Sequence, residues 1–226
     1  MIVTIDGPSG VGKSTVAQAL AARLGFECLN TGSMYRAVAL AMQRLGIDCR
    51  DADAVAVALS GMKVEIPRGL VLLDGENVGP LLRTPEVTRG ASEVSVHRCV
   101  RLKLVGVQRA AAVGRSLVCD GRDQGSFVFP TAAAKFFLTA HPRTRAERRA
   151  KELADKGQPV TAEEVMRDQE ERDRRDAARD LAPMVPAPDA LRIDTTHLTT
   201  LDVIERLERA VLSLRACPRR PNARLR

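Results

Sequence analysis

Nine consecutive residues near the start, Gly7-Pro8-Ser9-Gly10-Val11-Gly12-Lys13-Ser14-Thr15, constrain this chain more than any other stretch. They match G-x-x-x-x-G-K-[ST] at every fixed position, the pattern of a loop that wraps a phosphate chain. Gly7, Gly10 and Gly12 accept positive φ and leave neighbouring N–H groups uncovered, so the main chain can curl around an anion at a helix N-terminus. Lys13 is placed to reach the β and γ phosphates, the Ser14 hydroxyl is the expected ligand to Mg²⁺, and Thr15 continues into the helix. The flanks agree. Residues 1–5 are an apolar, β-branched run that reads as a buried strand, and Val16, Leu20 and Leu24 recur at helical spacing. Strand, loop and helix in that order imply an α/β protein, a doubly wound parallel sheet of about five strands with ligands at the strands' C-terminal edge.

The 226 residues suffice for one main domain with a small insertion, and 45% hydrophobic with 28% charged is ordinary for a globular chain. No apolar run approaches a membrane span, and Met1 leads directly into the first strand, so a cytoplasmic protein without a membrane partner is expected. Five cysteines without a C-x-x-C pair and three scattered histidines argue against a disulfide framework and a zinc site. A formal charge of +7 raises the question of a nucleic-acid partner, but Arg215, Arg219, Arg220, Arg224 and Arg226 carry five of those charges after Leu214. That leaves about +2 for the body. Residues 216–226 read as a basic, disordered tail, with a polyanion contact as the lesser alternative; the tail has no aromatic to stack a base, so no nucleic-acid partner is expected. A monomer is the expected state.

After a second strand at 26–30 comes Thr31-Gly32-Ser33-Met34-Tyr35-Arg36, where Thr31 or Ser33 can cap a helix with Tyr35 and Arg36 in its first turns. An arginine there opposes the helix dipole, so an anionic partner for Arg36 and a solvent-facing side chain are equally open. Residues 51–59 read as a short helix. Strand, turn and strand signals over 62–78 then describe an antiparallel patch that does not fit inside a parallel sheet, hence an inserted subdomain. Helices at 85–95 and 97–113 carry Ser92 and Arg101. A buried strand at 117–119 ends in Asp120-Gly121-Arg122-Asp123, which is either a self-satisfied turn or part of a ligand site at the sheet edge. Beyond a strand at 134–138, a helix over 143–156 carries Arg145, Arg148 and Arg149. Thr161 and Glu164 form a capping box for a polar helix running to about 179, with Arg172, Asp176 and Arg179 on one face. That helix is either solvated with internal ion pairs or a mobile cover. A last strand at 191–194 precedes an amphipathic helix capped by Thr200.

Taken in order, Ile5-Asp6-Gly7-Pro8-Ser9-Gly10 before Lys13, the run Thr31 to Arg36, the run Asp120 to Asp123, and Glu171-Arg172-Asp173 leading to Ala182-Pro183 resemble the bacterial cytidylate kinases. These belong to the nucleoside monophosphate kinase group of P-loop kinases. The resemblance spans nearly the whole chain, and the insertion over 62–78 is similar to the extra segment that family carries; only the tail departs from it. It implies transfer of the γ-phosphoryl of ATP to CMP, and to dCMP, with Mg²⁺ as cofactor. It implies ATP on residues 7–15, the monophosphate on Thr31, Tyr35, Arg36 and Arg122, the cytosine on Ser92, Arg101 and Asp123, and the ribose on Arg172 and Asp176. Lys13, Arg122, Arg148 and Arg179 would stabilise the transferred group. It further implies a single kinase domain over 1–215, with a core at about 1–35, 97–150 and 180–215, a monophosphate-binding insertion at about 36–96 and a lid at about 150–180. Cytosine presents an N4 donor beside N3 and O2 acceptors, so a carboxylate with a guanidinium complements it, whereas uracil turns an acceptor toward the carboxylate. Other small-molecule P-loop kinases are the first rival. A nucleotide-driven switch or nucleic-acid ATPase is the second, against which stand the missing N-K-x-D motif and a glycine, not a glutamate, after Asp120.

Overall fold

The first strand signal becomes β1 (Ile2–Asp6), whose residues from Val3 onward are buried because helices cover both faces of the sheet it centres. A computed structural model describes residues 1–155 and 157–216. After β1 come α1 (Lys13–Leu24), β2 (Glu27–Asn30), α2 (Thr31–Arg44), α3 (Ala52–Gly61), and three two-residue strands, β3 (Val64–Glu65), β4 (Leu72–Leu73) and β5 (Glu76–Asn77). Then follow α4 (Pro85–Val94), α5 (Arg98–Ala112), β6 (Leu117–Asp120), β7 (Ala134–Thr139), α6 (Pro142–Ala154), α7 (Ala162–Ala177), β8 (Leu191–Asp194) and α8 (Thr200–Ala216).

The main sheet has the order β2-β6-β1-β7-β8 with every pairing parallel. Strands β6 and β7 flank β1 on opposite sides, so the chain switches direction across the sheet at β1, and the crevice for a ligand opens at its C-terminal end. Val16, Leu20, Leu207 and Val211 of α1 and α8 pack one face around Val3, Ile5 and Leu138. Met34, Val38, Val94 and Leu104 of α2, α4 and α5 pack the other around Leu29, Leu117 and Cys119. The doubly wound architecture expected from the sequence is the one observed. The antiparallel patch is also present, as a separate sheet of order β3-β4-β5, and Asp74 and Gly75 turn it with φ of 50° and 85°.

Three helix ends differ from expectation. The cap of α2 is neither Thr31 nor Ser33 but Asn30, whose Oδ1 accepts from the Ser33 N–H at 3.0 Å; the helix begins one residue earlier than an Ser/Thr cap allows. Thr199, not Thr200, caps α8: its Oγ1 accepts from the Asp202 N–H at 3.2 Å while Asp202 returns to the Thr199 N–H at 2.9 Å. Helix α7 stops at Ala177, so Arg179 lies just beyond it. The Thr161–Glu164 capping box forms as read. The tail expected over 216–226 falls, apart from Ala216, outside the described residues, and among those residues no helix is long and apolar enough to cross a membrane.

Candidate active site

The loop after β1 takes the shape its glycines permit. Gly7, Gly10 and Gly12 have φ of 142°, 80° and 86°, and a Cβ on Gly7 would stand 2.1 Å from the Leu138 carbonyl oxygen, inside any tolerable contact. Gly12 is the cap residue of α1 with no side-chain cap bond, so the first amides of that helix are left for an anion. Lys13 is buried at the mouth, with Nζ donating to the Pro8 carbonyl at 2.6 Å, and burial followed by the charge of Arg122 pushes its pKa well below the ordinary value. The Ser14 hydroxyl donates to Asp120 Oδ2 at 2.5 Å, at the end of the neighbouring strand β6. Burial raises the Asp120 carboxyl above its ordinary value, and its Oδ1 is buried without a partner.

Facing this loop across the same sheet edge is a cluster of charged side chains from α2, α5, the segment after β6, and α7 with its exit. Arg101 is almost completely buried on α5 and pairs with Asp123; a second nitrogen donates to the Ser95 carbonyl at 3.3 Å, and its guanidinium lies 5.8 Å from the Tyr35 ring. Burial pushes the Tyr35 hydroxyl up to about 12. Arg122 donates through Nε to Asp176 at 2.9 Å, and Arg179 pairs with the other oxygen of the same carboxylate and donates to Ser95 Oγ at 2.7 Å. Burial acts to raise the Asp176 pKa, but Arg122, Arg179 and Arg172 outweigh it and hold the group below its ordinary value. Arg172 is pushed down to about 9, by burial first and then by Arg122, and its Nε has no partner. Burial also lowers Arg36, with Asp120 the first charge to oppose that shift. The Ser92 hydroxyl is buried and unpartnered as well.

Two alternatives left open by the sequence are settled by these contacts. Arg122 does not form a self-satisfied turn with its flanking acids: Asp123 turns to Arg101 and Arg122 reaches Asp176 on another helix. Nor is the Arg172, Asp176 and Arg179 face solvated, since Asp176 is 1% exposed. Tyr35, Arg36, Arg101, Arg122, Asp123, Arg172, Asp176 and Arg179 come together in one electrostatic network.

Two expected residues have other work. The buried Thr31 hydroxyl donates to the Asp120 carbonyl at 2.7 Å and so pins α2 to β6. Arg148 points away from the cluster; it donates to the carbonyls of Thr195, Thr196 and Leu198 at 2.7, 3.4 and 3.3 Å, bracing the loop after β8. That loop and the end of β7 enclose a cleft of about 630 Å³ lined by Thr139, His141, Thr144, Asp194, Thr196 and His197. Four residues that sequence reasoning left out of the site are equally central. Asp6 accepts from the Gln124 and Gly125 N–H groups at 2.8 and 2.7 Å, joining the phosphate loop to the segment carrying Arg122 and Asp123, and burial raises it to about 7. Asp120, one acid of the charged run that closes β6, accepts from the Ser14 hydroxyl and, through its carbonyl, from Thr31. Arg145 and Asp173 grip the phosphate loop at Ser9. A cation and an acid on two polar helices carry no sequence signal that separates them from surface charge.

The cytidylate kinase family model matches residues 3–212. Relatives include the cytidylate kinase of Chromobacterium violaceum, 44% identical over 206 residues that cover 91% of this chain and 93% of that protein. That of Shewanella pealeana is 41% identical over 210 residues, covering 90% and 91%. A solved structure of an uncharacterized protein from Eubacterium ventriosum aligns over 94% of this chain and 98% of its own with a TM-score of 0.53; at 13% identity that likeness speaks for the fold alone. Because the match runs from inside β1 to the last turns of α8, with relatives above 40% identity over nine-tenths of the sequence, the chain belongs to the cytidylate kinase family.

Proposed function

We propose that the protein transfers the γ-phosphoryl of ATP to CMP, and to dCMP, giving ADP and CDP or dCDP. One observation beyond family membership carries this reading: an amide-lined loop and a buried Arg101–Asp123 pair with an unpartnered Ser92 hydroxyl share one sheet edge. The triphosphate lies along residues 7–15 with its β and γ groups at Lys13 and the N-terminus of α1, and the cleft beside β7 and β8 takes the donor's base. Arg36, Arg122 and Arg172 hold the acceptor phosphate, Asp176 and Arg172 the ribose, and Arg101, Asp123 and Ser92 the cytosine.

Phosphoryl transfer asks for alignment and for positive charge about the moving group. The acceptor phosphate is already an anion near neutral pH, so no general base is needed, and Lys13, Arg122 and Arg179 supply the cationic surround. Binding has to re-partner charges that neutralise one another in the free protein: the phosphate takes Arg122 from Asp176, whose oxygens are then offered to ribose hydroxyls. Residues of about 150–180 act as the lid that excludes water, the competing acceptor. Mg²⁺ fits what is present. Ser14 Oγ and Asp120 are hard oxygen donors, and Asp120 Oδ1 is buried with its lone pairs unused, so these two residues would hold the ion. The ion supplies charge neutralisation to the donor phosphates. The substrates are small nucleotides, and the enzyme works as a cytoplasmic monomer.

The test is a coupled assay of each monophosphate with ATP and Mg²⁺. CMP and dCMP are expected to exceed UMP and AMP by at least about tenfold in kcat/KM; AMP or UMP as the better acceptor overturns the reading.

A further inference from the structure

Helix α7 touches both halves of the site with adjacent residues. Arg172 and Asp176 join the acceptor cluster. Asp173, the next residue after Arg172, turns to the donor loop, where Oδ1 accepts from the Ser9 N–H at 2.9 Å and Oδ2 pairs with Arg145. Arg145, itself buried on α6, also donates to the Ser9 carbonyl at 2.8 Å. The Ser9 peptide is therefore gripped at both its N–H and its C=O, once from each helix. One turn earlier on α7, Gln169 seals the same contact: its Nε2 bonds the Arg145 carbonyl at 3.4 Å and stands 2.5 Å from where a Cβ on Gly10 would be.

A carboxylate at the rim of a phosphate loop is a liability, since it repels the anion the loop is built to hold. Arg145 cancels that repulsion, so the pair adds no net charge beside the donor while still fixing the crest of the loop in two directions. A contact made only for packing would need neither oxygen of Asp173 to reach the loop main chain.

We propose, on the basis of the CMP-kinase reading above, that Asp173 is a positioning residue that couples the acceptor site to the donor loop. When the acceptor draws in Arg172 and Asp176, α7 is fixed, and Asp173 with Arg145 then fixes the Ser9 peptide in the form that aligns the γ-phosphoryl. Each substrate accordingly tightens the other's site through one rigid helix, whose two faces contact two ligands.

Asp173→Asn keeps the size and an acceptor for the Ser9 N–H but removes the ion pair with Arg145; Arg145→Lys keeps the charge on a shorter side chain, which withdraws it from the place where Arg145 Nη1 bonds both the Ser9 carbonyl and Asp173. For wild type and both variants, the CMP dissociation constant is measured with and without a non-hydrolysable ATP analogue and Mg²⁺, alongside kcat, both KM values and thermal unfolding. Wild type is expected to bind CMP at least about fivefold more tightly when the analogue is present. In Asp173→Asn that ratio falls to within twofold of one and kcat drops about tenfold. Its KM for ATP holds or decreases, because the remaining Arg145 charge now attracts the donor. Arg145→Lys loses the ratio in the same way and keeps the test decisive should the first variant fail to fold. A ratio of one in wild type overturns the proposal. So does a folded variant that keeps wild-type ratio and kcat, or one that merely loses melting temperature with the ratio intact. Wild type that turns over CMP poorly and another monophosphate well overturns the parent reading instead, and is seen in the first assay.

Discussion

The donor loop and the acceptor cluster sit on the same sheet edge and are built in opposite ways. The first is a main-chain loop within nine consecutive residues, held by glycine conformations and the start of α1, and it carries one buried cation. The second consists of side chains from elements as far apart in sequence as Tyr35 and Arg179, and its charges are partly paired, Arg101 with Asp123, and Arg122 and Arg179 with Asp176, while Arg172 is crowded by Arg122, Arg36 and Arg179. An amide-lined loop is ready before its ligand arrives and burdens the fold little when empty. A pocket of buried charges costs free energy unless they are paired, so its free form combines ion pairs that the substrate must rearrange with excess cations that an anionic substrate would neutralise. Rigidity serves the triphosphate, which every P-loop protein recognises alike. Exchangeable side-chain pairs serve the acceptor, where discrimination between bases is required.

The largest effect should come from the donor side, where one residue carries the charge. Lys13→Ala is expected to leave the fold intact and to lower kcat by about a hundredfold to a thousandfold, since it removes charge matched to the transferring phosphoryl. Turnover within threefold of wild type would refute that role and, with it, the contrast between a single-cation loop and a shared-charge pocket.

Asp6 joins the two regions, and its titration tests how tightly. Its ordinary pKa is 3.8 and burial raises it to about 7 in the folded protein, against the opposing pull of the Gly125 and Gln124 N–H groups. A carboxyl with a raised folded pKa holds its proton in the native state after the unfolded chain has lost it. Stability therefore falls as pH rises from about 4 to about 7. Asp6→Asn removes that contribution, so the wild-type stability curve minus the variant's should decline across this window by an amount on the order of 4 kcal/mol at most. Urea unfolding of both proteins at several pH values measures it. A flat difference would mean that the two N–H bonds hold Asp6 ionised throughout, and that the junction stays charged at every working pH.

The contrast between the regions also explains what the sequence disclosed. Anything written in contiguous residues was legible: the loop at 7–15, the strand that precedes it, the capping box at Thr161 and Glu164, and the turn at Asp74-Gly75. The acceptor cluster was legible only through family resemblance, because helical periodicity puts Arg172 and Asp176 on one face without saying which face is inward. Burial of a polar helix depends on partners elsewhere in the chain. For the same reason Arg145 and Arg148, three residues apart on one helix, could not be told apart, and the hydroxyl of Thr31 could be read as a ligand when it is a fastening to Asp120. Cap positions differ from the expected ones where several capping residues lie close together, Asn30 instead of Thr31 or Ser33 and Thr199 instead of Thr200.

On the acceptor side the expected effect is smaller than that of Lys13 but selective. On the proposed reading Asp123 accepts from the cytosine amine; Asp123→Ala would remove that acceptor and leave Arg101 buried without its partner, so kcat/KM for CMP should fall about tenfold to a hundredfold. UMP should lose less, since the group that opposes its O4 is also gone, and the CMP-to-UMP ratio should collapse. An unchanged ratio would show that Asp123 only supports Arg101, and that discrimination lies elsewhere in the cluster.

The smallest effect is expected from Arg148, and it separates a residue that belongs to neither region from one that does. If its guanidinium covered the transferring phosphoryl, Arg148→Ala would lower kcat by about a hundredfold or more, as loss of a transition-state cation does. Its observed bonds go instead to main-chain oxygens of Thr195, Thr196 and Leu198 and to the Thr195 hydroxyl at 3.2 Å, and of these residues Thr196 lines the cleft at the ends of β7 and β8. Thr195 is buried, but Thr196 and Leu198 are partly exposed, so water can replace the donors lost there. The penalty should thus be about 1 kcal/mol, or about 2–4 °C in melting temperature for a chain of this size. Loosening that cleft should raise the KM for ATP about threefold while kcat and the KM for CMP stay within twofold of wild type. That pattern, a donor-side KM effect without a kcat effect, is what a brace produces and a catalytic cation does not. A fall in kcat beyond tenfold at unchanged melting temperature would return Arg148 to the transferred phosphoryl.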